Sequence, residues 1–297
     1  MTPRLVAPAD RLRAHLAAGP PLLAAGCHDA LSARLAAQAG FEAIHLSGAL
    51  VSAVTFGLPD LGYVGASDMV DALVRVTAGT DLPVIADADT GYGDPLQVAQ
   101  TVRRYERAGA AALHLEDQVM PKRCGHMAGV RLAGLDETVA RLRAAADARE
   151  RLVLIARTDA LNVAGEDEVL RRVAAFASAG ADAIFVEGAR DAGTVRRAHE
   201  ASGGLPVVVN YSAAGHAPEP IDVLAEAGAR LALFPVAAAL AGAAAMSAAY
   251  REVLAGRRAP EPPLSWADFT AVLGLPALAE DEERWRPSAS DDPEESS

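Results

Sequence analysis

Cysteine is nearly absent: two residues in 297 leave no material for a disulfide framework. Aromatic side chains make up only 4%, so Ala, Val and Leu must fill the core, as in close-packed helices and buried parallel strands. A membrane helix needs about 20 strongly apolar residues. The longest apolar run, Leu231 to Met246, is Ala-rich and broken by Pro235 and Gly242, and it reads as a strand entering a buried helix. The opening Met1-Thr-Pro-Arg-Leu-Val-Ala lacks the apolar segment of a signal peptide, so a cytoplasmic protein with no membrane partner is expected. Basic charge is scarce: 27 Lys and Arg face 39 Asp and Glu, for a net charge of −12. This argues against a nucleic-acid partner, which is held largely by cations on phosphates. Half of that excess lies in residues 280–297, where eight acids face Arg284 and Arg286 among prolines and serines. Such a segment is expected to be a disordered tail.

A weak repeat organises the rest. Ala39-Gly-Phe-Glu-Ala-Ile-His-Leu, Ala108-Gly-Ala-Ala-Ala-Leu-His-Leu, Ala179-Gly-Ala-Asp-Ala-Ile-Phe-Val and Ala227-Gly-Ala-Arg-Leu-Ala-Leu-Phe share one form. Each reads as a helix end, a glycine C-cap and a short buried strand. Leu22–Ala25, Leu82–Ala86, Leu152–Ala156 and Leu205–Val209 bring the strand count to eight, with amphipathic helical stretches such as Leu96–Ala108 and Asp167–Ala179 between them. Eight strands alternating with helices predict an α/β fold, a closed (β/α)8 barrel of the TIM type, over residues 1–257. A helical extension, 258–279, carries Trp266 and Phe269 on one side and needs an apolar partner, such as a second subunit.

Polar residues collect just after the strands, on the face where barrel active sites are built. Ile85-Ala-Asp-Ala-Asp-Thr-Gly-Tyr-Gly93 places Asp87 and Asp89 at a strand end, and alternation predicts that both point to one face. Gly91 and Gly93 allow a tight turn beneath them. Leu115-Glu-Asp-Gln-Val-Met-Pro-Lys-Arg-Cys-Gly-His126 adds Glu116, then a loop with a thiol among Lys122, Arg123 and His126. Clustered carboxylates suit Mg²⁺, which takes one or two of them plus waters and substrate oxygens. A thiol among cations ionises readily. Gly125 and Gly129 would let that loop close and exclude water. Cys27, with no charged cluster, reads as structural. His114, beside Glu116, reads equally as a packed or an active-site histidine.

These stretches, with Asp29-Ala-Leu-Ser-Ala-Arg-Leu, Leu46-Ser-Gly-Ala, Gly57-Leu-Pro-Asp-Leu-Gly62 and Ile155-Ala-Arg-Thr-Asp159, resemble the isocitrate lyase/phosphoenolpyruvate mutase superfamily, and within it the 2-methylisocitrate lyase branch. The likeness runs from about Leu12 to Trp285. It implies a Mg²⁺-dependent lyase, with Mn²⁺ as a substitute, that splits a 2-hydroxy tricarboxylate into pyruvate and succinate. It also implies a homotetramer of dimers that exchange C-terminal helices. The metal set would be Asp87, Asp89 and Glu116, partly through water, with Asp60 in support. Cys124 would exchange a proton with the succinate-side carbon, and Arg157 would bind the 2-oxo acid carboxylate. His126 and Glu116 complete the catalytic set. Backbone amides at Ser47, Gly48 and Ala49 would meet the same end of the substrate, with His45, Gly125, Glu187, Asn210 and Ser212 around it.

The chemistry fits. Carbon–carbon cleavage needs the hydroxyl to lose a proton, which Mg²⁺ promotes, and an enolate that is stabilised and then protonated. A guanidinium matches a carboxylate in geometry. Three positions depart from the lyases. His45 replaces a Tyr, Asn210-Tyr-Ser-Ala213 replaces Asn-Met-Thr-Glu, and the loop from Ser47 to Gly57 is about one residue longer. They keep open a mutase-type enzyme acting on a phosphonopyruvate-like or oxaloacetate-like substrate.

Overall fold

In the computed structural model, residues 6–125, 127–212, 216–257, 261 and 263–286 are described. The chain divides into two compact units, 1–246 and 247–297.

The first unit is a closed barrel of eight parallel strands in chain order. They are β1 (Leu22–Cys27), β2 (Ala43–Leu46), β3 (Val84–Asp87), β4 (Ala112–Glu116), β5 (Val153–Thr158), β6 (Ala183–Val186), β7 (Val207–Asn210) and β8 (Ala229–Phe234). The repeated glycines act as expected: Gly40, Gly109, Gly180 and Gly228 have φ of 90°, 96°, 96° and 113°. That left-handed geometry, open to glycine at no steric cost, ends each helix and turns the chain into the next strand.

Alternation along the strands makes two cores. Ala24, Ala43, Ile85, Ala112, Ile155, Phe185, Val208 and Leu231 fill the barrel, and helix Pro8–Ala17 adds Ala9, Leu12 and Leu16 to the same cluster. The opposite strand faces, with Ile44, Ala86, Leu113, Leu154 and Ile184, meet the outer helices through side chains such as Leu73, Val102, Tyr105 and Phe176. Register brings the strand ends together: Asp87 pairs with His114, and Glu116 with Arg157.

Two expectations are corrected. The helix entered from β8, Ala237–Gly256, has no buried residue. Leu240, Met246, Tyr250 and Leu254 are exposed on it, because Ala-rich composition does not report whether a second surface covers a helix. The expected disordered tail, moreover, does not begin at Glu280. Helix Leu275–Arg284, opened by Pro276 in its first turn, continues through Glu280, Asp281, Glu282 and Glu283. Ion pairs three residues apart, Asp281–Arg284 and Glu283–Arg286, line its last turn. The rest of that predicted tail, 287–297, lies outside the described residues. In the same unit, helix Trp266–Val272 starts at a Ser265 cap and stacks Trp266 near Phe269.

Candidate active site

The C-terminal ends of the strands surround a cavity of about 80 Å³, open to solvent at its mouth. His45, Ser47, Ala49, Asp60, Asp87, Cys124, Gly125, Arg157, Glu187, Asn210 and Ser212 all line it. The candidates dispersed through the sequence therefore converge. His126 and Ala213 lie outside the described residues. Sequence reasoning missed Phe185, Leu233, Pro235 and Val236, which supply the apolar wall. Inward alternation along β6 and β8 could have found Phe185 and Leu233, while Pro235 and Val236 follow β8 with no such signal.

Asp87 ends β3, but Asp89 lies beyond it with φ of 45°. The strand-alternation argument therefore does not place Asp89. A left-handed backbone does, stabilised by the Asp89 N–H donating to Asp87 Oδ1 at 3.1 Å. Asp is among the few non-glycine residues that visit this region readily. Below the turn, Tyr105 Oη donates to the Asp87 carbonyl at 3.0 Å. Gly91 is required next to it, since a Cβ there would sit 2.5 Å from Val98 Cγ2. The Gly48 N–H, expected to face substrate, donates to Asp87 Oδ2 at 3.2 Å. The nearest carboxylate claims it.

Lys122 takes a larger role than a neighbour of the thiol. Its ammonium is buried, 2.7 Å from Asp60 Oδ1 and 2.8 Å from Asp89 Oδ1. These contacts raise its pKa despite burial. Arg157 is likewise buried and faces three carboxylates: Glu116 at 3.2 Å, Asp159 at 2.9 Å and Glu187 at 3.5 Å. Asn210 Nδ2 donates to Glu187 Oε2 at 3.1 Å. Cys124 is held above Asp60, its N–H donating to the Asp60 carbonyl at 3.3 Å. Gly125 rests on Arg157, Asp159 and Glu187 so closely that a Cβ would be 2.8 Å from Glu187 Cγ.

His45 and His114 form a buried pair, Nε2 to Nε2 at 3.0 Å. Burial lowers His45 to about 4 and His114 to about 3, so both are neutral at pH 7 and one ring donates to the other. His114 Nδ1 lies 3.6 Å from Asp87 Oδ1. Burial alone would raise Asp87, but interaction with His114, which would gain charge only at low pH, and with the cations Lys122 and Arg157 carries it below the ordinary carboxylate range. By contrast, burial raises Asp89 to about 7 against the pull of Lys122, and raises Glu116 well above normal against Arg157. Cys27 is buried away from this group, its thiol pushed up to about 12 by desolvation.

The donors fit a hard divalent cation. All are carboxylate oxygens, and buried Glu116 Oε1 accepts no hydrogen bond among the described residues. A divalent charge would keep Asp89 and Glu116 ionised. No three His, Cys, Asp or Glu side chains converge on one point among the described residues.

The family model described as phosphoenolpyruvate phosphomutase matches residues 12–254. A 2-methylisocitrate lyase of Salmonella typhimurium is 41% identical over 238 residues, 79% of this chain and 80% of that protein. The crystal structure of 2,3-dimethylmalate lyase, a PEP mutase/isocitrate lyase superfamily member, superposes with a TM-score of 0.89 at 36% identity, covering 97% of this chain and 98% of the other. A phosphonopyruvate hydrolase solved with oxalate and Mg²⁺ superposes with a TM-score of 0.84 at 27% identity, covering 94% and 99%.

Proposed function

The chain belongs to the phosphoenolpyruvate mutase/isocitrate lyase superfamily, as a carbon–carbon lyase, and we propose that it cleaves a 2-methylisocitrate-type 2-hydroxy tricarboxylate to pyruvate and succinate with Mg²⁺. One observation carries this reading: Cys124, Arg157 and Asp87 line one cavity, and Gly125, next to the thiol, packs against Arg157. A proton donor, a carboxylate clamp and metal-type carboxylates thus share one mouth.

Asp87, Asp89 and Glu116 would hold the ion, with Asp60 behind them. When bound, Mg²⁺ acidifies the C2 hydroxyl and offsets charge on the 2-oxo acid. Arg157 presents its fork to the 2-oxo acid carboxylate, which joins Glu116, Asp159 and Glu187 around it. As the C2–C3 bond breaks, its electron pair passes to C3, the O–H pair of the C2 hydroxyl becomes the new C=O bond of pyruvate, and the hydroxyl proton passes to Glu116 Oε1, which has no hydrogen-bond partner among the described residues. The Cys124 thiol protonates C3, releasing succinate, and once the products leave Glu116 loses its proton to solvent and the Cys124 thiolate regains one. Gly125, packed against the Arg157 cluster, keeps solvent from that carbanion.

His45, on a wall where the lyases carry Tyr, favours a second reading, a phosphonopyruvate-like or oxaloacetate-like substrate. A panel of 2-methylisocitrate, isocitrate, 2,3-dimethylmalate, oxaloacetate and phosphonopyruvate, assayed with Mg²⁺, separates the two. Fastest release of pyruvate and succinate from 2-methylisocitrate is expected. Faster release of oxalate or phosphate from the last two would replace the lyase reading. We extend the proposal to a homotetramer of dimers with exchanged C-terminal helices. The exposed Leu240, Tyr250, Leu254, Trp266 and Leu278 support it.

A further inference from the structure

Gln118 is 1% exposed and sits where the Cys124 loop leaves the barrel. The neck there is fixed. Gln118 bridges Leu132, the Val119 N–H donates to the Arg131 carbonyl at 2.8 Å, and the Ala133 N–H to the Asp117 carbonyl at 2.8 Å. The Gln118 side chain leaves this neck and grips the loop at Arg123. Its Oε1 accepts from the Arg123 N–H at 3.0 Å, and its Nε2 donates to the Arg123 carbonyl at 2.9 Å. The same Nε2 donates to Asp159 Oδ2 at 3.3 Å. The other oxygen of Asp159 accepts from Arg157 Nη2 at 2.9 Å. One carboxylate thus joins the substrate clamp to the amide that holds the residue before Cys124.

The backbone under this carboxylate is rigid. The Asp159 N–H donates to Asp117 Oδ1 at 2.9 Å, and Asp117 Oδ2 meets Arg172 at 3.0 Å and Thr158 Oγ1 at 2.5 Å. Only the Asp159 side chain is free to redistribute its hydrogen bonding. We propose that Gln118 is a positioning residue that couples carboxylate capture at Arg157 to the closed position of the Cys124 loop, with Asp159 as the link. This rests on the reading of Arg157 as the 2-oxo acid clamp. A substrate carboxylate that joins Asp159 on Arg157 takes a share of the guanidinium's charge and leaves Asp159 a stronger acceptor for Gln118, and the amide then holds Arg123 more firmly. Coupling of this kind is reciprocal: what closes the loop also tightens the ligand.

The test uses the full chain with Mg²⁺ and pyruvate as the probe. Calorimetry gives the pyruvate Kd. Trypsin cutting after Arg123 and hydrogen exchange of the Arg123 N–H report the loop. In the unsubstituted protein, pyruvate should slow both by at least about fivefold, the lower edge of ordinary couplings. Gln118→Met keeps the shape and loses all three hydrogen bonds. Gln118→Glu turns a carboxylate toward the Arg123 carbonyl and Asp159. Both should reduce the protection to less than about twofold and weaken pyruvate by the factor lost. Pyruvate that binds without slowing exchange overturns the inference and leaves the clamp reading standing. So does equal protection in the variants. Absence of pyruvate binding overturns both. Should Gln118→Met fail to fold, Gln118→Glu, which retains acceptance from the Arg123 N–H but loses donation to Asp159, decides the matter by the same readouts.

Discussion

Gly125→Ala adds one methyl group where the loop touches the substrate clamp. The new Cβ would lie 2.8 Å from Glu187 Cγ and 3.0 Å from Arg157 Nη2, and closer still to Asp159 Oδ1. Carbon atoms reach their attractive minimum near about 3.5 Å, so the loop must retreat by about 1 Å. Without ligand, Arg157 and Gln118 hold the two Asp159 oxygens at 2.9 and 3.3 Å, so the loop is expected to move first. A misplacement of that size costs on the order of 100-fold in rate, or about 2.7 kcal/mol in kcat/KM. The barrel core is untouched, so stability should change by less than about 0.5 kcal/mol and Tm by about 1–2 °C. The assay is pyruvate release from the best panel substrate, coupled to lactate dehydrogenase, beside a thermal melt. Native kcat/KM in Gly125→Ala would refute the closed placement of Cys124 during turnover.

Asp87→Ala should abolish turnover. It should cost only about 1–3 kcal/mol of stability, from the Gly48 and Asp89 N–H groups it orphans. Full activity in excess EDTA would sink the metal assignment. Cys124→Ser should lower kcat by about 10²–10⁴-fold, the usual share of a general acid, while Cys27→Ser costs little. Iodoacetamide should label Cys124 quickly and Cys27 slowly, the latter thiol being buried and raised to about 12. A Cys124→Ser enzyme with near-native kcat would remove the thiol from the mechanism. Sedimentation should give a tetramer, and a monomer at micromolar concentration would rule out helix exchange.

The barrel was legible because each unit is specified locally. An amphipathic helix, a glycine that accepts positive φ and a short apolar strand lie within one contiguous stretch, four times in nearly the same words. The strand ends then place Ser47, Asp87, Glu116, Arg157, Glu187 and Asn210 at one mouth by topology alone. Most groups lining that mouth were legible too, since carboxylates, an arginine and a thiol in a cationic loop stand out in the sequence.

What the chain alone left open depends on contacts between distant residues. Lys122 bridges Asp60, 62 positions away, and nothing in the local sequence distinguishes that ammonium from the solvated Arg123 beside it. Gln118 reaches Asp159 across 41 positions, and a glutamine carries no periodicity or charge signal to announce it. Asp89 owes its place to a left-handed backbone that alternation cannot predict. The pairing of His45 with His114 required β2 and β4 to bring two buried rings within 3.0 Å. The sequence therefore determined which groups are present and on which end of the barrel. The tertiary structure alone decided which carboxylate each cation meets, because ion pairs and hydrogen bonds depend on ångström distances that hydrophobic pattern does not encode.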